Sequence, residues 1–351
     1  TGPWAQMRLA DGMLPSMRQN SNERLSSHSP SHQPLANRAE GSLVLLQDIA
    51  RHYCQVVERI PHLPHAVSIV RLIADAGNIA ISTGKIDDAY DIWTAVRSVL
   101  VGLYGREGKW KKAKSLVVEC FTQLIDASWH TKRLDLALGT ALELNNHRDI
   151  LGERQIVGLQ HRICQLYVLN GDLNSALNWA ITAMQGMGVV LDPNVTMAQA
   201  TKDLKSVLRE VEKLGGPNAL HDLDEMKGNW KVMSLHRILF DLLSCSKMLA
   251  LDALYVSIGA ELMHLTLQYG RCYASAPGVA LFGVVLSTHT KYLRLGGQFC
   301  TAAEYMCRNY KKRKVELCRT LLHVGMGAHF HSASFRASAG YCLEAVHPGV
   351  D

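Results

Sequence analysis

The sequence lacks most of the signatures that would give it chemistry to perform. It has no CxxC pair, no HExxH run and no GxSxG elbow, so zinc-ribbon, zincin and serine-hydrolase readings have nothing to anchor them. No apolar stretch approaches the ~20 residues that a membrane-crossing helix needs. The longest uncharged one, around Ala274–Leu286, is broken by Pro277 and Gly278. The opening residues carry no continuous apolar core of secretory type, and a cytoplasmic location is expected. Aromatics are scarce at 7%, which leaves packing to Leu, Ala and Met, side chains that lose little rotamer freedom in a helix. One-signed charge is scarce too. The 37 basic and 31 acidic residues leave +6 over 351 residues, far from a nucleic-acid footprint. Nor do basic and aromatic residues interleave along a strand as single-stranded nucleic acid would require.

Cysteine is present without the pattern of a disulfide scaffold. The nine residues Cys54, Cys120, Cys164, Cys245, Cys272, Cys300, Cys307, Cys318 and Cys342 are odd in number, and most sit inside apolar helical patterns. They read as reduced, buried thiols.

What remains is globular composition, 48% hydrophobic and 19% charged, with a helical period nearly throughout. Residues 1–41 are the exception. Their Ser-, Asn-, His- and Pro-rich text cannot bury enough surface to offset chain entropy, and a disordered tail is expected, with His28 and His32 solvated in it. From Ser42 onward, apolar residues recur at three- and four-residue steps. Leu173, Ala176, Leu177, Ala180, Ile181 and Met184 form one stripe; Leu204, Val207, Leu208 and Val211 form another, backed by Lys202, Asp203, Lys205, Arg209, Glu210 and Lys213. Thr196 with Gln199 gives that second helix a capping-box start, and Gly215–Pro217 stop it. Further helices are expected over about Ala253–Tyr269, Val279–Tyr292, Gln298–Tyr310 and Val315–Gly325. The short run Phe282–Leu286 is the one place where a strand competes, and its helical neighbours argue against it. The fold class is therefore all-α: stacked antiparallel helix hairpins forming a tetratricopeptide-like α-solenoid. The expected division is hairpins over 42–190, a helical connector over 191–228, and further hairpins over 229–346. The text runs from Thr1 to an Asp351 just past a helical pattern, so a section of something longer is expected.

A recurring interval supports the hairpins. Tyr104, Gly108 and Ala113 are separated by four and then five residues; Tyr167, Gly171 and Ala176 repeat this, and so do Ala80, Gly84 and Ala89. A large residue packs at the end of the first helix, a glycine supplies the left-handed turn, and a small alanine lets the second helix approach. The spacing resembles the Tyr, Gly and Ala positions of tetratricopeptide repeats. Each such hairpin leaves an apolar face for a neighbour to cover, which implies a stack.

Gly171–Val211, "GDLNSALNWAITAMQGMGVVLDPNVTMAQATKDLKSVLREV", resembles more than a repeat. Together with His236–Phe299 and with His323–Ala345, it is similar to the helical region of large fungal hybrid histidine kinases. Those proteins also carry protein-kinase-like, ATPase-like, GAF and histidine kinase domains. The likeness lies in spacing and helix order and covers about Leu72–Ala345; the residues before Leu72 depart from it. It implies a place between ATPase-like and sensor–kinase modules, and so a noncatalytic scaffold that couples them. The partners implied are other domains of the same polypeptide or other proteins, with neither nucleic acid nor membrane. The same repeat text also fits a freestanding peptide-binding adaptor.

Three stretches invite chemistry and do not sustain it. Gly77–Ile86 has six residues between its glycines where a phosphate loop needs four, and Ile86 stands where a hydroxyl is required. His329 and His331, near His323, sit two apart and on a helix would diverge. Lys311–Lys314 is the densest charge cluster and reads as a solvated interhelical turn. No residue is assigned a catalytic, cofactor-binding or metal-binding role, and no cofactor is expected.

Overall fold

The computed structural model describes residues 48–63, 65–105, 109–288, 290–310, 314–326 and 335–346. Among them no strand forms, and the one β-type pairing is an isolated parallel bridge between Glu225 and Arg271. The chain divides into two compact units, Gly12–Leu159 and Gln160–Asp351. The division falls inside a helix, within the stretch 42–190 that the sequence assigns to the first set of hairpins.

In the first unit, helical residues 48–55 and a 3-10 turn lead into α1 (Ala66–Ser82), α2 (Ile86–Leu100), α3 (Lys114–His130) and α4 (Leu134–Asn146). Consecutive helices pack in pairs, α1 on α2, α2 on α3 and α3 on α4. The apolar stripe of each helix dictates this. Trp93, Val96 and Leu100 on α2 and Phe121 and Leu124 on α3 are buried. Gly77 lies mid-helix on α1, where a Cβ would fall 2.7 Å from the Trp93 ring. The glycine that resembled a phosphate loop is thus the floor on which a tryptophan rests. Cys120 points into the same core, and its burial raises the thiol pKa. Among the described residues, which include all nine cysteines, no disulfide forms.

The helix α5 (Glu153–Leu169) crosses the division. The second unit continues with α6 (Leu173–Gly186), α7 (Met197–Lys213), α8 (Trp230–Met248), α9 (Asp252–Tyr269), α10 (Ser275–Ser287), α11 (Leu293–Arg308), α12 (Lys314–Met326) and α13 (Phe335–Val346). The run Phe282–Leu286 is helical, inside α10, and is buried nearly all round. That explains why its text shows no polar face: it is a central helix, contacting α8, α9, α11 and α12.

Its crossing with α11 is the closest in the unit. A Cβ on Gly283 would lie 2.7 Å from the Gly296 carbonyl oxygen, and one on Gly296 would lie 2.2 Å from Ser287 Oγ. Glycine here removes a side chain so that two backbones touch. At the far end, Arg308 donates two hydrogen bonds to the Glu344 carboxylate, at 2.8 and 3.0 Å, and Tyr341 donates to Glu304 at 2.7 Å, tying α11 to α13.

Candidate functional site

The helix turns are where the sequence-predicted residues lie. Gly84 (φ +75°) ends α1, and the Lys85 amide donates back to the Ala80 carbonyl at 2.9 Å. Gly171 (φ +82°) ends α5, with Asp172 donating to the Tyr167 carbonyl at 3.0 Å. Asp172 then caps α6 by accepting from the Ser175 amide at 3.0 Å. Ala89 and Ala176 follow in the first turn of the second helix, both fully buried. The third set differs. The Lys109 amide donates to the Tyr104 carbonyl at 2.9 Å, but Gly108 lies outside the described residues. Ala113 stands at the end of a 3-10 turn as the N-cap of α3 and is only half-buried.

Two further turns obey the same interval without glycine. Ser128, Lys132 and Ala137 join α3 to α4, with Lys132 at φ +61° and Arg133 donating to the Ser128 carbonyl at 2.8 Å. Ser246, Ala250 and Tyr255 join α8 to α9, with Ala250 at φ +56°. A search keyed on glycine misses both. The signal that finds them is the buried small residue before each turn, Ser128 and Ser246.

Among the described residues, three gatherings of chemically active side chains lie in the second unit. The first is a half-buried polar junction. Asp241 on α8 accepts from Gln165 Nε2 at 2.9 Å, and His161 Nε2 lies 2.9 Å from the same oxygen, Oδ2. An ionised carboxylate only accepts, so the His161 proton sits on Nε2. Arg319 on α12 approaches the other oxygen at 3.9 Å and stacks over the Phe240 ring. Burial pushes the Asp241 carboxyl up, but the His161 and Gln165 hydrogen bonds and the Arg319 charge outweigh it and hold its pKa far below the usual carboxylate range. One turn earlier on α8, Arg237 donates to Glu316 Oε1 at 2.8 Å. Arg237 and Asp241 on α8 thus meet Glu316 and Arg319 on α12 with matched signs. Nearby, His323 packs on Phe240 and His236 is enclosed by α8, α9 and α10; burial lowers their pKa values to about 3 and about 4.

The second place is a groove of about 400 Å³ between α7, α9 and the segment before α7. Leu191, Val207 and Ala260 make its buried floor, and Asp192, Asp203, Glu210 and Glu261 stand around it. The third is a hollow of about 540 Å³ where the Glu225–Arg271 bridge faces the end of α11. His221 packs against Tyr305 there with the rings tilted by 52° and their centroids 4.5 Å apart, and burial beside Glu225 pushes Tyr310 up to about 12. Acidic and basic groups mix in this hollow with no single sign.

No protein-family model, curated protein or solved structure matches the chain. Among the described residues no His, Cys, Asp and Glu group has metal-holding geometry, and no helix is long and apolar enough to cross a membrane. His329, His331 and Lys311–Arg313 lie outside the described residues, as does the tail 1–41.

Proposed function

We propose that the chain is a noncatalytic helical scaffold that holds and couples the modules of a multidomain signalling histidine kinase. The observation that supports it is the arrangement of the charged groups. The strongest constellation, Asp241 with His161, Gln165 and Arg319, lies half-buried between helices and spends its hydrogen bonds on structure. Stacked hairpins contact mainly their neighbours, so strain at one end can be passed along the array. Coupling in the strict sense further requires two arrangements that the attached modules bias differently.

The flanking reading frame tests the placement: an ATPase-like P-loop upstream and a histidine kinase core downstream are expected. In that longer protein, deleting Ser42–Ala345 should abolish signal-dependent autophosphorylation; intact signalling would refute the coupling role. Nucleotide binding by the isolated chain would also contradict a noncatalytic scaffold. The second reading, a freestanding peptide-binding adaptor, draws on the groove between α7 and α9, and it takes first place if the flanking modules are absent.

A further inference from the structure

The groove is built against the charge of the molecule as a whole. The chain carries +6, yet this cleft gathers four carboxylates and a single histidine, His264, whose Nδ1 is 4.0 Å from Glu210. Helix geometry sorts the charges. At 100° per residue, Gln199, Asp203, Ser206 and Glu210 line one strip of α7, bordering the buried Val207. Lys202, Lys205, Arg209 and Lys213 fall on another strip, and all four are exposed. On α9, Ser257, Ala260, Glu261 and His264 recur at helical steps and form the facing wall.

Two features distinguish this cleft from an ordinary acidic surface. Its floor is apolar and buried. At its lip Val190 is 83% exposed, on a stretch without regular structure between α6 and α7. Glu261 is half-buried, and no cationic side chain forms an ion pair with it among the described residues. Burial and the neighbouring Asp203 raise its pKa against the opposing pull of His264. A carboxylate held this way gains most from a cation brought in from outside, because partial desolvation strengthens the attraction.

We infer that the groove between α7 and α9 docks a basic, amphipathic segment of a partner polypeptide, its aliphatic side chains on Leu191, Val207 and Ala260 and its Lys or Arg groups on Asp203, Glu210 and Glu261. The apolar floor supplies affinity and the carboxylates supply orientation and sign selection. A nucleic acid or an acidic peptide is repelled by the same four charges. The inference stands whether or not the chain belongs to a histidine kinase, since it uses only the groove.

The test uses the whole 351-residue chain and a fluorescein-labelled amphipathic peptide of Leu and Lys, followed by anisotropy. Asp203→Asn, Glu210→Gln and Glu261→Gln together should weaken binding by about tenfold or more, equivalent to ~1.4 kcal/mol. A control losing the same charge elsewhere, Asp87→Asn, Asp91→Asn and Glu212→Gln, should bind like the parent. A Ser–Lys peptide should bind at least about fivefold more weakly than Leu–Lys, because the floor goes unused. Val190→Ser, at a position too exposed to affect folding, should weaken only the Leu–Lys peptide. Equal losses in the groove and control triples would overturn the inference, leaving net charge alone. So would equal binding of the Ser–Lys peptide, or displacement by spermine at matching affinity, which would mark a small-polycation site. A dimer in sedimentation velocity that the groove triple dissolves, with peptide binding unaffected, would assign the groove to a second copy and overturn it too.

Discussion

The two units solve the problem of burying helices with different materials. In Gly12–Leu159 the only buried polar residues among those described are Ser128 and Thr140, both small. Its charges meet near the surface: Arg51 with Asp88 at 3.2 Å, Lys111 with Asp149 at 3.1 Å, and Arg97 with Glu143. In Gln160–Asp351 the interior includes His236, Glu316 and His323, with the Asp241 junction beside them. A dry interior is held by shape alone and tolerates volume-conserving change. A polar interior adds a condition, because α8 and α12 can face each other only in the register that matches Arg237 to Glu316 and Asp241 to Arg319.

The largest effect should come from breaking that condition. Asp241→Leu removes the acceptor of the His161 and Gln165 donors and the charge opposite Arg319, and the second unit should lose ~3–5 kcal/mol, the usual cost of removing one partner from a buried pair. The matching change in the first unit, Glu143→Leu, removes a pair that is about a third exposed, 35% and 31% for its two side chains. It should cost ~1 kcal/mol or less after solvent screening. Urea unfolding of the two variants measures both; equal losses would erase the distinction between the units.

Next is the contrast between two glycines at helix crossings. Gly283→Val drives a side chain into the Gly296 carbonyl, and backbone cannot step aside. A loss near the top of the ~1–3 kcal/mol overpacking range, or beyond it, is expected. Gly77→Val meets the Trp93 ring instead, a side chain that can shift, so its loss should be smaller. Thermal melts monitored by circular dichroism would show the order, and a reversed order would mean that the α10–α11 crossing is softer than its geometry.

These two crossings also mark the limit of what the text discloses. The helical period, the capped start of α7 at Thr196 and the turns at Gly84 and Gly171 are local, and each is visible within a dozen residues. Gly77, Gly283 and Gly296 are close-packing glycines only because of residues up to 17 positions away, and nothing local separates them from helix-weakening glycines. The Asp241 junction is less visible still. His161, Gln165, Asp241 and Arg319 come from three helices, and each alone reads as a solvated polar residue. The groove was half visible: the charged face of α7 is plain in the sequence, but its division into a basic and an acidic strip matters only once α9 is opposite. Ala113 shows the reverse error. Its spacing matches Ala176, but a 3-10 turn shifts it to the N-cap of α3, so the interval repeats where the packing does not.

Acid should separate the units as well. His236 and His323 have pKa values lowered by burial from 6.5 to about 4 and about 3. The unfolded chain therefore takes up protons below about pH 6.5 that the folded unit refuses. Stability falls as pH drops through that window, because both histidines favour the unfolded chain once it is protonated. Asp241, lowered in its folded state, adds its own loss only near and below pH 4, where the unfolded carboxyl takes its proton. His236→Leu, matched in size, should flatten the slope between pH 6.5 and 4 by about half. An unchanged slope in urea titrations across that range would place the acid sensitivity elsewhere.

The smallest effects test the turns. Ala176→Leu, at a fully buried site in the first turn of α6, should cost ~1–3 kcal/mol. Ala113→Leu, half-buried at the start of α3, should cost well under ~1 kcal/mol. Lys132 and Ala250 hold φ of +61° and +56° where the turns at Gly84 and Gly171 use glycine. A side chain in that region is strained by ~1 kcal/mol, partly offset by the lower entropy of the unfolded chain that carries it. Lys132→Gly and Ala250→Gly should therefore stabilise their units by a few tenths of a kcal/mol up to ~1, and Gly84→Ala and Gly171→Ala should destabilise by similar amounts. The sign matters more than the size: all four turns share one backbone geometry, so a loss on introducing glycine at 132 or 250 would show that the common interval conceals two kinds of turn.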